Sequence, residues 1–190
     1  MKEETTNKEE TTKKEKNTKK EIISFIRTVA IAVVCGLILN YTVIASAHVV
    51  SGSMENTVMT NSRVMGLRLT YLFSEPSRFD IILFHPPEGE VSDYPFVKRI
   101  IGLPNEKVEI INGKVYINDS TIPLDEGYIK GVAHGDFGPF EVPENCYFVM
   151  GDNRNGSSDS RHWNNKFVPR RSIIAKLYIE NFPSPQILGR

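Results

Sequence analysis

Apolar and polar positions divide this chain into three stretches of different character. Residues 1–21 hold no apolar side chain after the initial methionine and consist almost entirely of Lys, Glu, Thr and Asn. Residues 28–50 then carry no charged side chain if His48 is neutral. Beyond them, short apolar runs alternate with polar positions and with Pro and Gly clusters. The pattern predicts a disordered tail over 1–21, an apolar helix with its flank over 22–48, and a folded domain over 49–190.

The apolar stretch is long enough to cross a membrane. A helix over residues 28–48 would span about 30 Å, which matches the hydrocarbon core of a bilayer. A helix in a protein core normally shows a polar stripe, whereas this stretch offers little besides Asn40 and Thr42. We therefore expect a transmembrane anchor helix.

The end of the apolar stretch also allows a second interpretation. Ala45-Ser46-Ala47 is an A-x-A cleavage pattern after an apolar run, so residues 1–47 could be a removable signal peptide. The polar segment before the run is unusually long for a signal peptide, which favours an anchor. Several lysines and Arg27 precede the span. The positive-inside rule then places the tail in the cytoplasm and residues 49–190 outside the cell membrane.

The folded domain has the pattern of a mostly β protein with Pro-rich loops. Residues 80–84 form a short apolar run that His85-Pro86-Pro87 closes. Residues 108–117 contain two alternating runs around an Asn-Gly pair, the strongest short-range signal of a β-hairpin. Residues 147–150 and 173–179 are further predicted strands. The predicted fold class is therefore a β domain preceded by one transmembrane helix.

Composition excludes some classes of function. The formal net charge is zero, and no helix-turn-helix or basic patch indicates a nucleic-acid partner. Cys35 lies in the apolar stretch and Cys146 far from it, so a disulfide framework is not expected. The four histidines show no i,i+4 pair and no cysteine–histidine ligand spacing. We therefore expect neither a metal site nor another cofactor.

Candidate chemistry lies in three local sequences. They are Val49–Met54 with Ser53, Phe96–Pro104 with Lys98, and the polar block Gly151–Arg161. A serine hydroxyl is a weak nucleophile until a base takes its proton, and a lysine can do so only when it is neutral. Apolar surroundings favour the neutral amine, and Lys98 has apolar neighbours on both sides. On a strand, Lys98 and Ile100 would share a face while Arg99 points away. The alternative is a surface lysine on an edge strand.

In this order behind a membrane segment, the three blocks resemble bacterial type I signal peptidases. The resemblance covers roughly residues 25–182, and the single anchor helix is similar to the simpler Gram-positive forms. It implies a serine endopeptidase with a Ser53–Lys98 dyad, which removes signal peptides from exported preproteins after an A-x-A site through an acyl-enzyme. The partners it implies are signal peptides, membrane lipid and a position near the secretion translocon.

The resemblance also assigns supporting roles. Ser51 matches the residue whose hydroxyl stabilises the oxyanion together with the Ser53 N–H. Ser157 matches a serine that orients the lysine, and Asp159 and Arg161 match a salt-bridged pair near Arg99. Residues 151–154 alone could instead form a turn with an Asx cap.

Substrate recognition is expected by β-augmentation, with an extended peptide between the backbone near 49–51 and near 95–98. By family position, four apolar residues are expected to line the small pockets, although ordinary core positions would look the same. They are Val49, Met54, Val58 and Val97.

One residue departs from the family pattern. The block usually continues as SGSMxPT, whereas this chain has Asn56 in place of the proline. Two alternatives stay open at this point. A self-cleaving repressor of the SOS response shares the Ser–Lys chemistry but would need a DNA-binding domain. A non-enzymatic exported β domain would retain the fold as a binding module, and Asn56 is the feature that supports it.

Overall fold

A computed structural model describes the backbone of residues 2–90, 92–183 and 185–188, with side chains from residue 19 onward. The chain divides into two compact units after Thr42. The helices are α1 (Lys2–Val43) and α2 (Thr70–Phe73). The strands are β1 (Ile44–His48), β2 (Arg63–Leu67), β3 (Ile81–Phe84), β4 (Phe96–Gly102), β5 (Lys107–Ile111), β6 (Lys114–Ile117), β7 (Phe137–Glu141), β8 (Cys146–Met150), β9 (Val168–Pro169), β10 (Ile173–Phe182) and β11 (Gln186–Ile187).

The first unit is a single long helix. Its stretch Lys19–Val43 has a mean hydropathy of 2.5 and is long and apolar enough to cross a membrane. The helix begins at Lys2, within the segment for which the sequence predicts a disordered tail. Lys and Glu are good helix formers, and adding turns to a helix that already exists avoids the cost of nucleation. The tail therefore continues the apolar helix.

The helix also ends earlier than the sequence predicts. Residues 44–48 were expected to be helical, but they form β1, which pairs antiparallel with β2 from Ile44 opposite Leu67 to His48 opposite Arg63. The Arg68 N–H donates to the carbonyl of Val43 at 2.8 Å. Backbone pairing with a distant segment thus overrides the local pattern. Removal of residues 1–47 as a signal peptide would take a strand out of the sheet.

The second unit confirms the predicted β fold. One sheet has the strand order β1-β2-β10-β3-β4-β8-β9, with β11 beside β10, and a second sheet has the order β6-β5-β7. The predicted hairpin is β5–β6, in which Asn112 and Gly113 both have positive φ, 50° and 74°. That geometry is what a two-residue hairpin turn requires, and it explains the Asn-Gly pair.

Alternate residues of β3 and β4 bury on opposite faces of the large sheet. Ile81, Leu83 and Val97 belong to one apolar cluster. Ile82, Phe84, Phe96 and Ile100 belong to another cluster, which is closed by Trp163. Because β4 is covered on both faces and is paired with β3 over Phe96–Arg99 and with β8 from Arg99 onward, a polar side chain on it is held rigidly. This strand carries Lys98.

Candidate active site

Ser53 and Lys98 meet inside the β domain. Ser53 lies in a 3-10 turn over Gly52–Met54, and Lys98 lies on β4, between β3 and β8. Their Oγ and Nζ atoms are 2.5 Å apart, and the two residues are 7% and 5% exposed. The alternative of a surface lysine on an edge strand is therefore wrong. The predicted face is also observed, since Lys98 lies over the Phe96 ring while Arg99 reaches the opposite side.

The environment of Lys98 favours the neutral amine. Burial is the largest cause and lowers the pKa of Lys98 from 10.5 to about 8, and the nearby Arg161 charge acts in the same direction. Asp159 and Asp152 oppose the shift, because negative charge favours the ammonium form. Near neutral pH a substantial minority of this lysine is thus unprotonated, and the neutral amine can accept the proton of the Ser53 hydroxyl.

The turn that carries Ser53 is held by Asn153. The Asn153 side-chain amide donates to the carbonyl of Gly52 at 3.0 Å, and its backbone N–H donates to the carbonyl of Ser53 at 3.1 Å. The interpretation of residues 151–154 as an Asx-capped turn is therefore wrong, because the Asn153 side chain caps no helix. Its contacts are to a segment about a hundred residues earlier in the chain. No local pattern could have indicated them.

Replacing Asn153 with alanine is expected to lower kcat by about 10- to 100-fold, since small misplacements of a catalytic group cost about that much. The matched control is Asn155→Ala, because Asn155 lies in the same block but bonds to Val132 and His134, away from Ser53. Steady-state cleavage rates of both variants test this role. Equal rates for the two variants would contradict it.

The proposed oxyanion donors lie beside the nucleophile. The hydroxyl of Ser51 is 3.3 Å from the Ser53 hydroxyl. Among the described residues, the backbone N–H of Ser53 donates to no protein acceptor, as expected in the first turn of a helix. The Ser53 N–H is therefore open and the Ser51 hydroxyl shares a hydrogen bond with the Ser53 hydroxyl; the role of both donors in stabilising an oxyanion stays a prediction.

Ser157 packs against the nucleophile turn from the polar block. A Cβ atom on Gly151 would lie 2.3 Å from Ser157 Oγ and 2.4 Å from the carbonyl oxygen of Ser53, so only glycine fits between them. The Ser157 hydroxyl is buried and, in the part of the chain that the structure describes, has no partner at good hydrogen-bond geometry, although it lies close enough to Asp159 to help lower the pKa of that carboxyl. The expected hydrogen bond to Lys98 is thus not formed here, and the orienting role of Ser157 stays a prediction.

Asp159 and Arg161 form the expected ion pair. Two guanidinium nitrogens of Arg161 each donate to the Asp159 carboxylate at 2.8 Å, and the Gly151 N–H donates to it at 3.0 Å. Burial alone would raise the pKa of Asp159, but these donors and the Arg161 charge hold it below its usual value. The pair fixes the block that carries Asn153 and Ser157.

Arg99 does not join that pair, contrary to expectation. Its guanidinium donates to both carboxylate oxygens of Asp152, at 2.9 and 2.6 Å, and both side chains are almost fully buried. The Tyr128 ring lies 4.0 Å from the guanidinium carbon. A second buried pair joins Arg154 to Glu126. The local sequence does not indicate that Asp152, Arg154 and Glu126 form buried ion pairs.

A cleft of about 350 Å³ runs along the dyad. Three of the four expected wall residues line it, and the fourth, Val58, is fully buried in the apolar cluster behind the wall. The residues that line the cleft include Val49, Met54, Val97, Ser51, Ser53 and Lys98. In the part of the chain that the structure describes, no group of three His, Cys, Asp or Glu side chains could hold a metal ion.

Two backbone edges face each other across the cleft. Where the structure is described, neither the N–H nor the C=O of Val50 takes part in a backbone hydrogen bond. The register of β4 with β8 begins only at Arg99, and the backbone groups of Ile100 point toward residues 79–80. By the alternation of an antiparallel ladder, the N–H and C=O of Val97 point the other way, into the cleft.

A buried contact between a serine and a lysine thus lies below an open strand edge in an antiparallel β domain. The family model described as "Signal peptidase, peptidase S26" matches residues 22–180. The chain belongs to this family, and it is a peptidase.

Two sequence relatives agree with this placement. Signal peptidase I of Leptolyngbya laminosa is 38% identical over 163 residues, which cover 83% of this chain and 78% of that protein. Signal peptidase I S of Bacillus subtilis strain 168 is 38% identical over 152 residues, covering 74% and 79%. The crystal structure of a signal peptidase I from Enterococcus faecalis V583 superimposes with a TM-score of 0.46 and 35% identity, and covers 55% of this chain and 97% of that one.

Proposed function

We propose that this chain is a membrane-bound serine endopeptidase that removes N-terminal signal peptides from exported preproteins after an A-x-A site. The observation that carries the proposal is the buried 2.5 Å contact between Ser53 Oγ and Lys98 Nζ. It joins a hydroxyl to an amine whose pKa burial lowers to about 8. Membership of the signal peptidase family supplies the substrate class.

The first half of the reaction forms an ester. The Ser53 oxygen attacks the carbonyl carbon of the scissile peptide bond while the neutral amine of Lys98 takes the hydroxyl proton. Negative charge develops on the carbonyl oxygen, where the Ser53 N–H and the Ser51 hydroxyl can donate to it. The C–N bond then breaks, Lys98 returns the proton to the departing amine, and the signal peptide remains esterified to Ser53.

The second half hydrolyses the ester. A water molecule loses a proton to the amine of Lys98 and attacks the ester carbonyl. The tetrahedral species collapses, the signal peptide leaves as a carboxylic acid, and the proton returns from Lys98 to Ser53. No net proton stays on the enzyme, and none of these steps requires a metal or another cofactor.

Substrate binding follows from the two open strand edges. An extended peptide would pair with Val50 on one side and Val97 on the other, as in β-strand addition. Alternate side chains of such a strand point to the same side, where Val49, Met54 and Val97 line the cleft. A small apolar pocket disfavours each extra methylene by about 1–3 kcal/mol, which would account for small residues at both A-x-A positions.

Asn56 does not argue against catalysis. Its φ is +78°, in the left-handed region that Asn tolerates and proline cannot adopt. The turn after Met54 therefore differs in conformation from one that holds proline, while Ser53 and Lys98 remain in contact. The departure gives the binding-module alternative no support.

The proposal places the helix Lys19–Val43 in the membrane, the N-terminus in the cytoplasm and the β domain outside, near the secretion translocon. The basic residues before the span support this orientation. Labelling of single cysteines in intact cells, introduced before and after the span, tests it. Label that enters only the residues before the span would contradict it.

The rate of cleavage is expected to follow the titration of Lys98. Because the base must be neutral, kcat/KM should rise about tenfold per pH unit at low pH and level off above the lysine pKa of about 8. Initial rates between pH 6 and 10 on a preprotein with an A-x-A site test this. A midpoint near the ordinary lysine value of 10.5, or a flat profile, would count against Lys98 as the base.

A further inference from the structure

The chain carries a copy of the pattern that its proposed activity recognises. Ala45-Ser46-Ala47 follows the apolar helix directly, and the next bond is Ala47–His48. We infer that Ala47–His48 is a latent processing site, which a second copy of this chain cleaves when the segment is free and which the pairing of β1 with β2 protects. This inference rests on the proposed function, because it assumes the same specificity for small side chains.

Backbone pairing is the first part of the protection. All five residues of β1 are in register with β2, with Ala45 opposite Gly66 and Ala47 opposite Val64. A substrate in the cleft must be flanked by two strand edges, at Val50 and at Val97. A segment with one edge already bonded to β2 cannot be flanked on both sides, so β1 must separate from β2 before it can bind.

Side-chain burial is the second part. Ala45 is fully buried in the apolar cluster that contains Val49 and Val97, and Ala47 packs against the same cluster. The two alanines share a face because strand side chains alternate with a period of two. A segment bound as substrate would have to present that same face of the strand to the small pockets of the cleft. The alternation that makes the motif a substrate thus also buries Ala45 in the core and partly buries Ala47 against it.

Chain connectivity requires that any cleavage occur between copies. Ala47 lies six residues before Ser53, and the intervening segment supplies the Val50 edge of the cleft. The segment cannot form one wall of the cleft and lie within it at the same time. Cleavage would also remove β1 and withdraw Ala45 from behind the wall residues Val49 and Val97. Protection of this bond therefore preserves the site itself.

In the test, the enzyme is the full-length wild-type chain in mixed detergent–lipid micelles. It is given four substrates. The first is the full-length Ser53→Ala chain, which retains β2 and cannot cleave itself. The second is residues 1–50 fused to a soluble reporter domain, where β2 is missing and the motif is free. The third is that fusion with Ala47→Leu, and the fourth is an unrelated preprotein with an A-x-A site. Mass spectrometry of the products locates each cut.

We expect the fusion to be cut after Ala47 at a rate within about tenfold of the preprotein, and the Ala47→Leu fusion to resist. The full-length Ser53→Ala chain should be cut at least about 100-fold more slowly, since its open segment is a minor state. A fusion that resists while the preprotein is cut overturns the inference alone. So does a full-length chain that is cut as fast as the fusion. A preprotein that resists overturns the proposed function and the inference with it.

Discussion

Replacing Lys98 with methionine is expected to lower kcat/KM for preprotein cleavage by about 10⁴-fold or more, the scale of losing a nucleophile–base pair. Methionine matches the length and apolar stem of lysine, so the space beside Ser53 stays filled, but no group can take the hydroxyl proton. Ser53→Ala should cause a similar loss, and the double variant should be no worse, because residues that act as a unit are not additive. Initial rates of the three variants test this.

The matched control is Lys107→Met, which removes a lysine whose side chain is one-third exposed and which pairs with Asp119. Its cleavage rate should equal that of the wild type. If the Lys98→Met chain keeps a rate within tenfold of the wild type, the base has been assigned to the wrong residue.

The same variant should be more stable than the wild type at neutral pH. The pKa of Lys98 is about 8 in the folded chain and 10.5 ordinarily, so the folded state binds fewer protons between these values. The free energy of unfolding of the wild type therefore rises with pH through this window, by about 3 kcal/mol in all. Relative to the wild type, Lys98→Met should gain about that much stability from pH 11 to pH 7. A pH-independent difference would contradict the shifted pKa.

Replacing Asp152 with alanine is expected to destabilise the β domain by about 3–5 kcal/mol, because it leaves the charge of Arg99 buried and unpaired. The Arg99–Asp152 pair is bidentate, and both side chains are at most 1% exposed. It joins β4 to the polar block one residue before Asn153. The loss should therefore lower activity as well as stability. Urea unfolding in micelles measures the change in free energy.

The control for Asp152→Ala is Asp119→Asn, which removes the charge but keeps a residue that tolerates the positive φ of 58° at this position. The Asp119 carboxylate also pairs with a basic side chain, Lys107, at 2.6 Å, but it is 69% exposed. An exposed pair contributes little to stability because water screens it, so this variant should unfold almost as the wild type does. If both variants lose the same small amount, the buried pair has no special role in the fold.

Much of the fold follows from local patterns in the sequence. The predicted strands over 80–84, 147–150 and 173–179 coincide with β3, β8 and β10, and the Asn-Gly pair marks the β5–β6 hairpin. These elements could be predicted because apolar runs and turn residues act locally. The class of fold, a β domain behind one apolar helix, follows from them.

Elements that depend on distant partners could not be predicted in the same way. β1 continues an apolar helix in the sequence, and only its pairing with β2 makes it a strand. β7 contains Gly138 and Pro139, which local propensity places in a loop. The tail over 1–21 has a composition that fits disorder, yet the adjoining helix extends through it.

In the candidate site as well, residues with a distinctive local sequence could be predicted, and residues that act through distant contacts could not. The motifs identified Ser53 and Lys98, 45 residues apart, because each has a distinctive local sequence. Partners of the polar block were not visible, since Asn153 holds a turn about a hundred residues away and Asp152 pairs with Arg99 at a separation of 53 residues. Val58 could not be separated from the wall residues, because a pocket wall and a core share the same residue types.

Cleavage of a preprotein bearing an A-x-A site by the full-length chain in lipid, with the product N-terminus sequenced, tests the Ser53–Lys98 dyad and the substrate class most directly. We expect one cut, after the final alanine of the site, for the wild type, and no product for Ser53→Ala or Lys98→Ala. A wild-type chain that is inert toward several such preproteins would contradict the proposed function. Cleavage that survives either substitution would contradict the dyad.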